Sequence, residues 1–224
     1  RALGVAGAAY IQRSIDMNPR GVIGIGHGRT LAAAVREMSN CDAPDIRFVS
    51  LLGGLTRNYA ANPHDVMHRL AEKTGAAAYV MPVPFFANSV DDREILLSQR
   101  GVSDVFALAN RADLMLVGIG TTEPGAQLVA SRMIEMTEIA EVRDRGGVAE
   151  LLGHFFDADG NTIQTSLTQR TLSVGLAELR ERRIVAIAGG EEKTCAIRSV
   201  LMSGLLAGLI TDERTAHALT DTAA

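Results

Sequence analysis

Four apolar runs in this sequence end in polar segments that contain glycine, and these segments hold side chains suited to binding an anion. Glycine lets backbone N–H groups turn towards an anion, and a following helix adds partial positive charge at its start. Arg29 and Lys193 would add full charges, and Thr30 and Thr56 would add hydroxyl donors. The pattern therefore predicts a site for a phosphate-bearing ligand. The segments are Gly24-Ile25-Gly26-His27-Gly28-Arg29-Thr30, Gly53-Gly54-Leu55-Thr56, Gly118-Ile119-Gly120-Thr121-Thr122 and Gly189-Gly190-Glu191-Glu192-Lys193.

The elements that must position these segments are short strands separated by helices. Leu31, Val35 and Met38 recur at helical spacing after the first strand, and Asn62-Pro63 is typical of a helix start. Strands that are apolar throughout and separated by helices favour an α/β fold, with a mostly parallel open sheet covered by helices on both faces. Ligands bind such sheets at the carboxyl edge, where the glycine segments would meet. We predict strands at residues 22–25, 46–52, 78–81, 114–119 and 184–188, and helices at residues 91–99 and 103–111.

Composition narrows the function classes. The 224 residues suit one α/β domain, and 47% hydrophobic content with a net charge of −4 is ordinary for a globular protein. Without a run of Lys or Arg the chain lacks a basic face for DNA, and no apolar stretch approaches the roughly 18 residues of a membrane span. Cys41 and Cys195 form neither a CxxC nor a zinc pattern, which favours a reducing cytoplasm. The first residue is Arg1, without a signal-peptide pattern, so we expect a piece of a longer protein.

Other motifs match known sites only in part. The first glycine segment has neither P-loop order nor GxGxxG spacing, and no GxSxG occurs. His64 and His68 lie at i, i+4 with Asp between them, which we interpret as exposed histidines rather than a zinc site. The run from Asp157 to Asn161 lacks the calcium-loop glycine and final Glu, and predicts a hairpin turn between residues 151–156 and 162–167. We therefore expect no metal, no cofactor and no catalytic triad, and we expect Cys195 to pack inside.

Several motifs together carry a resemblance to a known family. They are LGxxxAxYI, GIGHGRTL, FVSLLGGL, MPVPFF, ADLMLVGIGTTEP, ELLGHFFDADG and VAIAGGEEKTCAIRSVLMSGLLAGLITDERTA. Over residues 3–216 this order is similar to the C-terminal effector-binding domain of the SorC family of sugar-responsive transcriptional regulators. The resemblance implies a fold related to ribose-5-phosphate isomerase and glucosamine-6-phosphate deaminase. It also implies a helix-turn-helix DNA-binding domain upstream of this chain, which would contact operator DNA, and a homodimer or homotetramer.

The same resemblance implies a set of effector-binding residues. Glycine loops would wrap the phosphate end of a phosphorylated sugar or polyol, Asn62 and Asp157 would hold its hydroxyls, and Lys193 would reach the anion. Either His27 or Arg29 would face the ligand. Alternatively, Asp157 fixes only its turn, Thr56 caps a helix and Lys193 begins a solvated helix. The expected ligand-binding residues are Gly26, His27, Gly28, Arg29, Thr30, Gly54, Thr56, Asn62, Gly120, Thr121, Asp157 and Lys193.

The expected function is sensing without a catalytic step. Ligand binding would shift the population of oligomer conformations and so change operator affinity, which requires different ligand affinities for the two states. The alternative is an isomerase or deaminase on the same fold, with Asp157 or Glu191 as the carboxylate base. A plain protein-interaction module is disfavoured, because it would leave four polar glycine segments without a purpose.

Overall fold

A computed structural model describes residues 2–55 and 64–221. Helices separate the strands at residues 22–25, 47–55, 77–84 and 114–117, as the sequence predicts. The helices are α1 (Ala2–Met17), α2 (Arg29–Glu37), α3 (His64–Thr74), α4 (Val90–Ser98), α5 (Arg100–Ala109), α6 (Gln127–Ala130), α7 (Met136–Asp144), α8 (Leu176–Arg180), α9 (Thr194–Met202) and α10 (Glu213–Thr220). The strands are β1 (Val22–Ile25), β2 (Arg47–Leu55), β3 (Ala77–Pro84), β4 (Leu114–Val117), β5 (Gly120–Thr121), β6 (Ala149–Leu151), β7 (His154–Phe156), β8 (Thr162–Ile163), β9 (Ile184–Ile187) and β10 (Gly208–Ile210).

The main sheet of the described residues has six strands in the order β10-β9-β4-β1-β2-β3. Every neighbouring pair in this order is parallel. The predicted class, a mostly parallel open α/β sheet, is therefore confirmed. Strands β1, β4 and β9 are buried at every residue, which explains why their sequences are apolar without alternation.

Helices cover both faces of this sheet, as predicted. On one face α1, α2 and α3 pack on β-strand side chains such as Ile25, Phe48 and Leu116. On the other face α5 and α9 pack on Val49, Met115 and neighbouring residues, together with the aromatic side chains of β7. Within the described part of the chain, no helix is both long enough and apolar enough to cross a membrane.

A second, antiparallel sheet lies beyond β4, in the order β5-β6-β7-β8. The sequence predicts one strand over residues 151–156, and this is wrong, because the chain reverses at Leu152 and Gly153. Both residues have positive φ, 52° and 78°, which is the backbone of a tight two-residue hairpin turn. The next hairpin turn, at residues 157–161, is confirmed, since Asp157 N donates to Asn161 O at 2.9 Å.

Strand β2 continues past the predicted end at residue 52, through both glycines to Leu55. A Cβ on Gly53 would lie 2.1 Å from Pro84 O, so only glycine allows β2 to approach β3 this closely. Beyond its pairing with β3, β2 forms an antiparallel bridge between Leu52 and Ser173. Gly54 therefore lies inside a strand and not in a loop.

The prediction that Cys195 packs inside the protein is wrong. Cys195 is exposed rather than packed, because α9 turns Ala196, Ile197 and Val200 inward and leaves Cys195 on its other face.

The helix predicted after Asn62 does follow, with α3 beginning at His64. Asn62 itself lies outside the described residues, as does Thr56.

Candidate functional site

A cleft of about 610 Å³ opens at the carboxyl edge of β1, β4 and β9. Three of the four predicted glycine segments line it. We name them the β1 loop (residues 26–30), the β4 loop (residues 118–122) and the β9 loop (residues 189–193). Further parts of the wall come from Leu3 and Gly4 of α1, Gln127 and Leu128 of α6, and Glu150 of β6. The size falls in the range of pockets for small molecules, which is about 300–1,000 Å³.

The β1 loop leads directly into α2, and the start of this helix faces the cleft. Gly28 precedes the helix and supplies no side-chain cap to its first N–H groups. Such N–H groups have no partner within a helix, and they favour an anion together with the helix dipole. The Thr30 hydroxyl donates to Ile187 O at 2.7 Å, which ties the loop to β9. The hydrogen of that hydroxyl is therefore engaged within the protein, and α2 offers the cleft its first backbone amides and the side chain of Arg29.

Lys193 of the β9 loop brings an ammonium group into the cleft. Its Nζ donates to Ile119 O of the β4 loop at 2.9 Å, which leaves two of its three N–H donors for a ligand. The pKa of Lys193 lies below its ordinary value, first because the side chain is buried and then because the positive charge of Arg29 is near. The negative charges of Glu192 and Glu150 oppose this shift. A bound anion would oppose this shift, because its negative charge favours the protonated ammonium.

Glu150 forms the acidic part of the cleft wall. The residue is 3% exposed, and its Oε1 accepts a hydrogen bond from Gly153 N at 2.7 Å. Its other oxygen lies against the β4 loop, since a Cβ on Gly120 would be 2.4 Å from Glu150 Oε2. Burial without a full set of partners is costly for a carboxylate, so the open side of this group favours hydroxyl or N–H donors from a ligand.

His27 lies beside Glu150, deep in the cleft. Its Nε2 is 3.8 Å from Glu150 Oε1, and only 13% of its side chain is exposed. The ring meets the edge of Phe85 with centroids 5.2 Å apart. Arg29 also lines the cleft but is exposed. His27 and Arg29 thus occupy different depths of the same cleft.

Charges in the cleft are separated rather than uniform. Arg29 and Lys193 are positive, whereas Glu150 is a buried negative group and Glu123 and Glu192 are exposed negative groups. A purely anionic ligand would meet repulsion from Glu150. A ligand with an anionic end and a hydroxyl-bearing end satisfies both parts.

Comparisons with known proteins show the family of this chain. A family model described as "Putative sugar-binding domain" matches residues 1–221. This chain belongs to that family of sugar-binding regulator domains. The domain is 62% identical to the erythritol catabolism regulatory protein EryD of Brucella abortus over 218 residues, covering 97% of the chain and 69% of EryD. It is 30% identical to the transcriptional regulator LsrR of Klebsiella pneumoniae over 209 residues, covering 91% of the chain and 62% of LsrR.

The fold of the sugar-binding domain also matches a solved regulator. The full-length sorbitol operon regulator SorC from Klebsiella pneumoniae superimposes with a TM-score of 0.87 at 23% identity, covering 97% of this chain and 71% of that protein. At this identity the likeness shows the fold. With the family match, it confirms the resemblance to the SorC family that the motifs carry.

The sugar-binding domain brings seven of the twelve predicted site residues to the cleft. Gly26 lies behind the wall, where a Cβ would be 3.2 Å from Leu116 O and from Leu152 Cδ2. Among residues 2–55 and 64–221, no group of three or more His, Cys, Asp or Glu side chains is placed to hold a metal ion. The seven residues are His27, Gly28, Arg29, Thr30, Gly120, Thr121 and Lys193.

Two predicted site residues lie elsewhere. Gly54 is within β2 and does not line the cleft. Asp157 fixes the hairpin turn, where its carboxylate accepts from Asp159 N at 3.0 Å and from Asn161 N at 2.8 Å. Hydrogen bonds from Asn161 hold the pKa of Asp157 below its ordinary value. Thr56 and Asn62, also predicted for the site, lie outside the described residues.

Glu150 is a buried, charged cleft residue that the predicted site does not include. It stands in the run Gly147-Val148-Ala149-Glu150-Leu151-Leu152, where each neighbouring side chain is apolar or absent. A single charge in a run of that kind predicts a buried and therefore partnered group. The sequence therefore carries a signal for this position that is independent of the glycine loops.

Proposed function

We propose that this domain is the effector sensor of a transcriptional regulator and that its effector is a phosphorylated sugar or polyol. The observation that carries the proposal is the cleft itself, where Lys193 and Arg29 share one space with the buried carboxylate of Glu150. Two cations and a helix start suit a phosphate. A buried carboxylate beside an imidazole suits hydroxyls.

This arrangement gives the ligand a direction. The phosphate lies at the start of α2, within reach of Arg29 and of the free N–H donors of Lys193. The hydroxyl end lies towards Glu150 and His27, whose side chains are 4% and 13% exposed. In the reverse orientation the phosphate would lie against the negative charge of Glu150. The N–H donors of Lys193 would then have no anion to bind, so this orientation is disfavoured.

The relative EryD narrows the class of effector. Its name states a role in erythritol catabolism, and it shares 62% of its residues with this domain over the matched part. We therefore infer a four-carbon polyol skeleton, with the cations of the cleft favouring its phosphate ester over the free polyol.

The whole protein would act as a regulator in the cytoplasm, where operator DNA is found. The chain spans 69% of EryD and 62% of LsrR, and we propose that DNA binding belongs to a segment outside the matched part. Effector binding would shift the balance between conformations of a homodimer or homotetramer that differ in effector affinity.

Thermal denaturation with and without ligand tests the proposal. At about 100 times the Kd, erythritol 4-phosphate would stabilise the domain by about 2.7 kcal/mol. Lys193→Ala removes a charged contact to phosphate, and a Kd raised about a hundredfold would reduce this gain to about 0.4 kcal/mol. Lys73 is a matched control, because it is also half-buried and also donates to a backbone carbonyl, Met38 O, outside the cleft.

The outcomes separate clearly. Lys73→Ala should keep the full ligand-induced stabilisation even if the unliganded protein is weakened. An unchanged ligand effect in Lys193→Ala would contradict the phosphate role. Stabilisation by free erythritol that equals that by its phosphate would show that the polyol alone is recognised.

The second candidate is a sugar-phosphate isomerase or deaminase. Neither carboxylate proposed from the sequence, Asp157 or Glu191, lines the cleft, but Glu150 does, with His27 beside it. This pair is the one observation that favours an enzyme. The regulators among the relatives favour a sensor without catalysis. Turnover of a sugar-phosphate panel above about 1 s⁻¹, a rate typical of enzymes, would reverse that preference.

A further inference from the structure

The β9 loop is held from behind by the start of the last helix, α10. Gly190 N donates to Thr215 Oγ1 at 2.9 Å and to Asp212 Oδ2 at 3.0 Å. The two acceptors are themselves joined, because the Thr215 hydroxyl donates to Asp212 Oδ2 at 2.8 Å. Thr215 is fully buried, so water has little access to these hydrogen bonds.

Asp212 serves both the helix and the loop. Its Oδ1 accepts from Thr215 N at 3.0 Å as the N-cap of α10, while its Oδ2 faces the loop. A Cβ on Gly189 would lie 2.1 Å from Oδ2, so the loop backbone sits directly on this carboxylate. Hydrogen bonds from Thr215 keep the pKa of Asp212 below its ordinary value, which is consistent with a permanently charged acceptor.

The held glycine lies three residues before the cleft lysine. Gly190 O accepts from Lys193 N at 2.9 Å, which closes the turn that presents the lysine side chain to the cleft. The far end of α10 is also attached, since Arg198 of α9 donates to Ala218 O at 2.9 Å. The start of α10 is thus joined to the β9 loop, and its far end is joined to α9, which follows Lys193 directly.

We propose that Asp212 and Thr215 are positioning residues for the effector, which hold the β9 loop so that Lys193 reaches the cleft. The expected effect of these two residues on effector affinity rests on the proposed function of the cleft. Neither residue lines the cleft. Their effect on binding would therefore come from pre-ordering the loop, because a loop that is ordered only on binding lowers affinity.

Two measurements on Thr215→Val test the proposal. First, hydrogen exchange by NMR in the unliganded protein should show the Gly190 amide exchanging about tenfold faster, as expected when one hydrogen bond is lost. Second, the Kd for erythritol 4-phosphate by calorimetry should rise about tenfold. Thr215→Ser keeps the hydroxyl and should restore both values to within about twofold of the wild type.

Thr74 provides the matched control. It is equally buried, its hydroxyl donates to Leu70 O at 2.6 Å, and it accepts from Ala76 N at 3.2 Å, outside the cleft. Thr74→Val should lower the unfolding temperature while leaving the Gly190 exchange rate and the Kd as in the wild type. If Thr74→Val raised the Kd as much as Thr215→Val, general destabilisation would explain the effect and the proposal would be wrong.

The remaining outcomes are also decisive. Unchanged Gly190 exchange in folded Thr215→Val would overturn the positioning claim, and faster exchange with an unchanged Kd would overturn its link to the effector. If the wild type bound neither erythritol nor its phosphate, the proposed effector would fail, and the exchange rates would still decide the positioning claim. Should Thr215→Val not fold, Asp212→Asn retains a helix cap and is expected to give the same two changes.

Discussion

Replacing Glu150 with glutamine would separate the two ends of the cleft. Gln is nearly isosteric, and its carbonyl oxygen can still accept the hydrogen bond that Gly153 N donates at 2.7 Å. The substitution therefore removes one buried negative charge while the backbone contact remains. If Glu150 binds hydroxyls, inorganic phosphate and free erythritol should respond to Glu150→Gln in opposite directions.

The expected change in phosphate affinity depends on the distance between Glu150 and the bound phosphate. We take the phosphate to be bound about 10 Å from Glu150, across the 610 Å³ cleft. Two unit charges about 10 Å apart interact by about 1.7 kcal/mol at an effective dielectric constant of about 20, and salt reduces this. Glu150→Gln should therefore bind inorganic phosphate about threefold to tenfold more tightly. Free erythritol should bind about tenfold more weakly, because neutral hydrogen bonds are weaker than charge-assisted ones.

NMR titrations of the two probes at low ionic strength measure both affinities in one preparation. Glu138 offers a control carboxylate of low exposure, 17%, which pairs with Arg170 outside the cleft. Glu138→Gln should lower stability and leave both titrations unchanged. Weaker binding of phosphate in Glu150→Gln, or parallel changes for the two probes, would refute the assignment of hydroxyls to Glu150.

Two further predictions concern stability. Gly53→Ala should lower the free energy of unfolding in urea by about 2–3 kcal/mol because its Cβ would meet backbone of β3, whereas Gly101→Ala, which meets no atom within 4 Å, should be neutral or stabilising. Burial lowers the pKa of His154, whose Nε2 donates to a carbonyl oxygen at 2.9 Å. Below about pH 6.5 the unfolded chain binds a proton at His154 that the folded chain does not bind. The free energy of unfolding therefore falls as the pH is lowered. Denaturation at pH 7.5 and 5.5 should show a smaller loss in His154→Gln than in the exposed control His68→Gln.

The central strands of the sheet could be predicted because burial leaves a simple record in sequence. β1, β4 and β9 are covered on both faces, and each is apolar at every position except for one glycine in β1. β5 and β8 have two residues each and β10 has three, which is too short for any periodicity to appear. Their existence depends on pairing with distant strands.

The errors in β2 and in the second sheet have the same physical origin. The pair Gly53-Gly54 is typical of a loop, but here Gly53 allows a close approach to Pro84, which lies 31 positions later in the sequence. Leu152 adopts positive φ in a hairpin turn, a conformation that its residue type does not signal. Local propensity describes what a residue tolerates, and the partner that decides between strand and turn is non-local.

The carboxyl ends of parallel strands meet at one edge of a sheet, and from this rule the four glycine loops were expected to lie together. Three of them line the cleft. The rule fails for Gly54, since β2 runs past the edge and carries this residue out of the cleft. Asp157, which only the family resemblance placed in the site, belongs to a hairpin of the other sheet. Glu150 comes from that same sheet, and β5, which is part of the β4 loop, pairs its Gly120 with Glu150. The site thus depends on the contact between two sheets, which no single segment of sequence encodes.

The first and last described helices both contact the loop that carries Lys193. A Cβ on Gly189 would lie 3.2 Å from Leu3 Cδ2 of α1 and 2.1 Å from Asp212 Oδ2 at the start of α10. α1 is also packed tightly on α2, since a Cβ on Gly7 would lie 2.8 Å from Ala34 Cβ. Packed helices of this kind move as units rather than deform. A phosphate that draws the start of α2 towards the β9 loop would therefore act on α1 and α10 together, and this gives a sensor a route from a small cleft to both helices.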